Sequence, residues 1–78
     1  MIVISLSAGR GNYIGSFPGS QTIPISSYDN DLFGVLHLTT AGFWTSYIPG
    51  SPFNAFTDFT PGSSYQIDTK AAFDIITS

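Results

Sequence analysis

Cysteine and glutamate are absent from this 78-residue chain, and histidine, lysine, arginine and tryptophan occur once each. Without cysteine there are no disulfides and no thiolate metal sites, and a single His37 cannot assemble a histidine-based metal cluster. Arg10 and Lys70 stand apart in a chain of net charge −3. No basic patch can therefore neutralise phosphates, which excludes nucleic acid as a partner and disfavours a membrane surface as well. No apolar run approaches the roughly 18 residues of a membrane-spanning helix. Met1–Leu6 is apolar but too short for the core of a signal peptide, and no basic residue precedes it. A chain of this kind that works outside a cell needs another exit, and release by lysis within a particle would satisfy that condition.

Charge as a whole is scarce, at 9% of residues against about 25% in ordinary soluble domains. Solubility then falls to eleven Ser and eight Thr. Such hydroxyl-rich, weakly charged surfaces fit extracellular or assembled proteins better than crowded cytoplasmic monomers. Every acid is an aspartate, the carboxylate that favours turns and helix caps.

The length bounds the chain to one domain, residues 1–78, with no internal repeat, low-complexity tail or linker. A chain this short buries only about 60% of its unfolded surface, so its core needs support. The support has to come from aromatic burial, rigid turns or a partner. Aromatics are plentiful, with seven Phe, four Tyr and one Trp, and each buried ring removes roughly 150–250 Å² from water. They concentrate between Phe43 and Tyr65, alongside Pro49, Pro52, Pro61, Gly50, Gly62 and the single charge Asp58. Rings, turns and almost no ionisable groups suit a surface that packs or adheres, and not a site that moves protons.

Periodicity predicts a mainly β chain of about six short strands, an antiparallel sandwich or barrel-like domain with at most one short helix. Ile2, Ile4 and Leu6 alternate with Val3, Ser5 and Ser7 as a half-buried strand. A turn over Ala8–Asn12 precedes a second strand, Tyr13–Phe17, with Gly15 marking a bulge or a close approach. Ser26 or Ser27 is placed to cap one or two helical turns over Tyr28–Phe33, with Asp29 and Asp31 in the first turn and Gly34 at C′. Val35–Thr40 and Phe43–Ile48 flank Ala41-Gly42 as a β-hairpin. Phe53, Phe56 and Phe59 recur every three residues, as a 3₁₀ turn would eclipse them. Pro61-Gly62 is a turn with glycine at positive φ. Ser64–Asp68 and Ala72–Thr77 then read as a closing hairpin.

Catalytic chemistry finds little footing. His37 is the only neutral-pH base, and its position opposite Leu36 and Leu38 points it to the wetter side of its strand. No serine stands in a G-x-S-x-G elbow, so no triad is legible. Asp29-Asn30-Asp31 superficially opens a calcium loop, but Phe33 follows at the fifth position and no glutamate closes it; helix capping is the better account. Asp68 and Asp74 are placed to pair with Lys70 across the closing hairpin. Gly9-Arg10-Gly11 has no lysine and no long helix after it, so it is not a phosphate loop. The chain reads as a non-enzyme with no catalytic residue, metal or cofactor. Trp44 and Ile48 share one strand face and Phe43 and Tyr47 the other. One face must be buried, which leaves three readings for these rings: core, core plus partner interface, or a sugar-stacking platform.

Gly11-Asn12-Tyr13-Ile14-Gly15-Ser16-Phe17-Pro18, then Trp44 with Tyr47, Phe53, Phe56-Thr57, Phe59, and Pro61-Gly62 with Tyr65 and Ile67, resemble a small β-rich accessory module of prokaryotic surface proteins and phage virion proteins. The resemblance spans about four-fifths of the chain and rests on turns and aromatic anchors; the segment Gln21–Leu36 departs from the pattern by its shortness. It implies a non-catalytic module. A free-standing version beginning at its own Met1 most resembles a phage structural protein.

The resulting expectation is a non-enzymatic virion component, a bacteriophage capsid decoration or cement protein. Its expected partner is the major capsid protein or another virion protein, and copies of itself as a homo-oligomer or on a lattice. The residues expected to meet that partner are Phe43, Trp44, Tyr47, Phe53 and Phe56. Ile2 and Ile4 join them, since the extended start Ile2–Leu6 could add a strand to a partner sheet. The rival is a carbohydrate- or receptor-binding adhesion module of a tail fibre or surface protein, stacking sugars on Trp44 and Tyr47.

Overall fold

A computed structural model describes residues 1–78. In chain order the elements are β1 (Ile2–Leu6), β2 (Gly9–Ile14), β3 (Ile23–Pro24), a 3₁₀ helix (Ile25–Asp31), β4 (Leu32–Leu38), β5 (Trp44–Tyr47), β6 (Asp58–Phe59), β7 (Ser64–Thr69) and β8 (Phe73–Thr77). The protein is mainly β, as its periodicity predicts. β2-β7-β4-β5 form a four-stranded antiparallel sheet, β1-β8 a two-stranded ribbon, and β3-β6 a two-residue pairing at one side.

The layers follow from strand alternation. In β7 the polar Ser64, Gln66 and Asp68 alternate with Tyr65, Ile67 and Thr69, and all three of the latter are buried. β1 and β8 turn Ile2, Ile4, Leu6, Phe73, Ile75 and Thr77 inward, and leave Val3, Ser5, Asp74 and Ile76 to solvent. Their register sets Ile4 opposite Ile75 and Leu6 opposite Phe73. Leu6 and Ile75 of the ribbon join Val35, Tyr47, Tyr65 and Ile67 of the sheet in one apolar cluster, with Phe17, Ile25, Leu32 and Phe59 closing its sides.

Tyr65 is the hub of the aromatic packing. Phe17 and Phe59 stack nearly parallel at 5.0 Å, and both lie perpendicular to the Tyr65 ring in T-shaped contacts, at 5.8 and 5.1 Å. The Tyr65 hydroxyl accepts the Thr60 amide proton at 2.7 Å and donates to the Asp58 carbonyl at 3.3 Å, which pins β6 to the sheet. Phe17 is fixed from the other side, because its amide donates to the Ser63 carbonyl and its carbonyl accepts from Gly62. Gly62 makes that turn at φ +87°, a conformation other residues resist.

The longer strands fall where they are expected, and several details differ. The helix lies over Ile25–Asp31 and not Tyr28–Phe33; Pro24 stands at its N-cap with no side-chain bond, and no acid lies in its first turn. Three-residue spacing explains the shift, since it sets Ile25 and Tyr28 on one side. There Ile25 is fully buried and Tyr28 stacks on Phe73. Leu32 and Phe33 belong to β4, and Gly34 is an interior strand residue rather than a helix C′. β2 begins at Gly9, within the expected turn, and ends at Ile14; its bulge falls between Gly9 and Asn12 and not at Gly15.

No closing hairpin forms. β7 pairs with β2 and β4 while β8 crosses to β1. Both strands have a buried alternate set, and each takes a place in a different layer. Asp68 consequently faces Arg10 at 3.8 Å, not Lys70. Phe53, Phe56 and Phe59 share no 3₁₀ turn; Phe59 is drawn into β6 by Ile23.

Ile75 and Ile76 give a direct test of the layering. Truncating buried Ile75 to Ala should cost about 2–5 kcal/mol, whereas Ile76→Ala should stay within about 0.5 kcal/mol, both read from urea midpoints. Equal costs would mean that β8 does not face as described.

Candidate functional site

β4 and β5 form the predicted hairpin, with Leu38 opposite Trp44, Leu36 opposite Ser46 and Val35 opposite Tyr47. Gly42 takes φ +90° at its tip, and Thr39 and Phe43 close the turn, the Thr39 amide donating to the Phe43 carbonyl at 2.7 Å. β7 on the other side of β4 sets Tyr65 opposite His37 and Gln66 opposite Leu36. These registers sort every side chain of the hairpin. Val35, His37, Thr45 and Tyr47 face the core; Leu36, Leu38, Trp44 and Ser46 face outward.

His37 is therefore on the inner face, not the wetter one. Its ring lies 5.1 Å from that of Tyr65 and 5.4 Å from that of Phe56, and Nδ1 is 3.0 Å from the Ser64 carbonyl. Past the irregularity between Leu32 and Gly34 the strand's inward positions are Val35 and His37, so Leu36 and Leu38, which resemble core residues, are the outward pair.

The expected contact residues separate as well, Trp44 and Tyr47 by strand phase and Phe43, Phe53 and Phe56 by their place in the turn and loop. Phe43, Trp44 and Phe53 are exposed, at 69%, 49% and 91%. Tyr47 is buried, and Phe56 is half-buried against Tyr47, His37 and Tyr65. Neither ring is placed to meet a partner. Trp44 and Tyr47 lie on opposite faces, so they do not form the paired stacking platform that a sugar reading needs. Ile2 and Ile4 turn inward along a strand already paired to β8 on one edge.

Tyr47 donates its hydroxyl proton to Asp29 Oδ1 at 2.7 Å, and so ties β5 to the 3₁₀ helix. Asp29 thereby serves as an acceptor for a core tyrosine, not as a helix cap. Burial raises the Tyr47 phenol from 10.0 to about 12, with the hydrogen bond to Asp29 and its negative charge adding to the shift.

The exposed surface that remains is one face of the sheet. Trp44 and Leu38 occupy one row, Ser46, Leu36, Gln66 and Tyr13 the next. Ile48 follows, in contact range of Gly34, where an added Cβ would stand 3.3 Å from its Cδ1. Tyr13 and Ile48 are about half exposed or more, and Leu36 and Leu38 partly so. Tyr13, Leu36 and Leu38 are absent from the set the sequence singles out. The signal that finds them is the central placement of β7, whose outward residues are all polar and whose inward ones are all buried. Once β7 is the centre, both neighbours must take its alternation.

The molecule carries no pocket and no cluster of three metal-ligating side chains. From Leu32 to Thr57 the sequence contains no Asp, Glu, Lys or Arg. Such a surface can exclude water against a complementary face, and its recognition rests on shape and ring contacts.

The Tyr47–Asp29 bond predicts a pH dependence. The folded state holds the Tyr47 proton more tightly than the unfolded chain, so the stabilisation is complete below pH 10 and declines as pH rises from 10 towards 12. Urea unfolding of the wild type and Tyr47→Phe across that interval should give a stability difference that shrinks with pH. A difference that stays constant to pH 12 would contradict the assignment.

Comparison with protein-family models, with curated proteins and with solved structures finds no match for this chain.

Proposed function

We propose that this protein is a non-enzymatic structural component of a virus particle, a capsid decoration or cement protein that seats its exposed sheet face on a coat-protein lattice. The observation that carries this reading is the uncharged outer face of β4 and β5, where Trp44, Leu36, Leu38 and Ile48 lie together without a covering layer. Contiguous apolar patches on a small monomer mark interaction sites, and a buried Trp is the residue type that most often dominates an interface.

The resemblance to virion and surface modules supports the same reading through its anchors. Phe17, Phe59, Pro61-Gly62 and Tyr65 converge at the Tyr65 hub, while Trp44 is left outside it. Residues of the motif thus divide into a group that builds the scaffold and rings that the scaffold presents, Trp44 with Tyr13 and Phe53. Many copies on a lattice would convert modest individual contacts into firm attachment.

Mass spectrometry of purified particles should find the chain in a copy number matched to capsid symmetry, and its absence would remove the proposal. Rebinding to particles stripped of the protein should weaken at least tenfold for folded Trp44→Ala, about 1.4 kcal/mol. Asp74→Ala, on the far side of the ribbon, should rebind as the wild type does. Retained binding by both variants would place the contact elsewhere, and glycan binding lost with Trp44→Ala would favour the adhesion reading instead.

A further inference from the structure

The four-stranded sheet has two edges, and they differ. β2 is interrupted by a bulge between Gly9 and Asn12 and carries Arg10, features that keep a sheet edge from pairing. β5 has neither bulge, proline nor charge. The Thr39–Phe43 bond makes that pair a hydrogen-bonded one, and the ladder alternates from there. His37–Thr45 and Val35–Tyr47 are then bonded to each other, and the amides and carbonyls of Trp44 and Ser46 point away from β4. Ile48, next in the same phase, bears this out. Its amide donates to Asn54 Oδ1 at 2.8 Å and its carbonyl accepts from Asn54 Nδ2 at 3.1 Å. The Asn54 side chain closes the edge at Ile48 and leaves it open at Trp44 and Ser46.

We infer that this open edge pairs with a second copy of the chain, β5 against β5, about a two-fold axis at Thr45. In that register Trp44 meets Ser46 of the partner subunit, and each such pair exchanges both of its main-chain hydrogen bonds. Trp44 and Ser46 share the outward face, so each indole lies over a small hydroxymethyl group on the other subunit. Thr45 meets its own symmetry mate across the axis.

Three features favour a second copy as the occupant. The segment is self-complementary in size, with its large and small outward residues equidistant from the axis. It brings no like charges together, although each copy carries a net charge of −3. The exposed parts of Phe43 and Trp44 amount to roughly 240 Å² at 150–250 Å² a ring. That is about a third of the ~800 Å² a standard interface takes from each partner, which predicts a dimer that forms and dissociates with concentration. Pairing would merge two sheets into one of eight strands and double the outward face. It stands independently of any role in a virion.

Purified protein tests the pairing without a particle. Sedimentation should show a monomer–dimer equilibrium, and emission from Trp44, the sole tryptophan, should move to shorter wavelength as concentration rises. Ser46→Asp, which sets a carboxylate against the electron-rich face of the partner's indole and adds like charge to both copies, should be monomeric throughout. In Thr45→Cys the introduced thiol is the only one in the chain. Across the axis the Cα atoms of such a non-hydrogen-bonded pair stand about 4.5 Å apart, within disulfide range. Oxidation should cross-link it at least tenfold faster than Thr40→Cys at the hairpin tip. A wild type that stays monomeric to about 1 mM, the weak limit of specific association, would overturn the inference. So would dimerisation of folded Ser46→Asp at wild-type strength, or equal cross-linking of the two cysteine variants.

Discussion

The ring contacts of Tyr65 are the interaction on which the rest of the structure depends. Phe17, from the segment after β2, and Phe59, from β6, stack on one another and both stand perpendicular to this ring. Its hydroxyl bridges Asp58 and Thr60, and His37 and Phe56 pack on its other sides. Three segments distant in sequence, around Phe17, His37 and Phe56–Thr60, are held by one side chain in a central strand of the sheet. A chain of this length without disulfides has few other means of closing its core.

Fixing Tyr65 inward also fixes what lies outside. Alternation in β7 sets the phase of β4 and β2 on either side, and β4 in turn sets β5. His37 and Tyr47 are carried into the interior, and Trp44, Leu36 and Leu38 are carried out. The outward face is thus a consequence of the scaffold, and so is the open main chain of β5, because the same ladder phase directs Trp44 and Ser46 away from β4. Asn54 limits that opening at one end and the Gly42 turn at the other.

Much of the architecture was legible in the sequence. Alternation located five of the six longer strands but set the second at Tyr13–Phe17 where β2 runs over Gly9–Ile14, and Ala41-Gly42 and Pro61-Gly62 located two turns. The facing of β4 was not legible, because Val35, Leu36 and Leu38 are all apolar and either phase satisfies a strand taken alone. Only the pairing of His37 with Tyr65 decides it. The partnership of β8 was hidden for a related reason: Phe73, Ile75 and Thr77 suit a hairpin with β7 and a ribbon with β1 equally well. The helix was misplaced because Ser26, Ser27, Asp29 and Asp31 mimic a capped start, while burial of Ile25 sets the actual one. Of the contact residues named from sequence, Phe43, Trp44 and Phe53 lie outside, and Tyr47 and Phe56 belong to the interior.

The central claim is that the aromatic stretch Phe43–Tyr65 is divided into an interior set and a presented set, with strand phase separating Trp44 from Tyr47. Solvent paramagnetic relaxation of the ring protons in dilute protein measures this division ring by ring. The account predicts strong broadening for Phe43, Trp44 and Phe53, and little for Tyr47, Phe59 and Tyr65. Protection of Trp44 together with broadening of Tyr47 would put β5 in the opposite phase and contradict it.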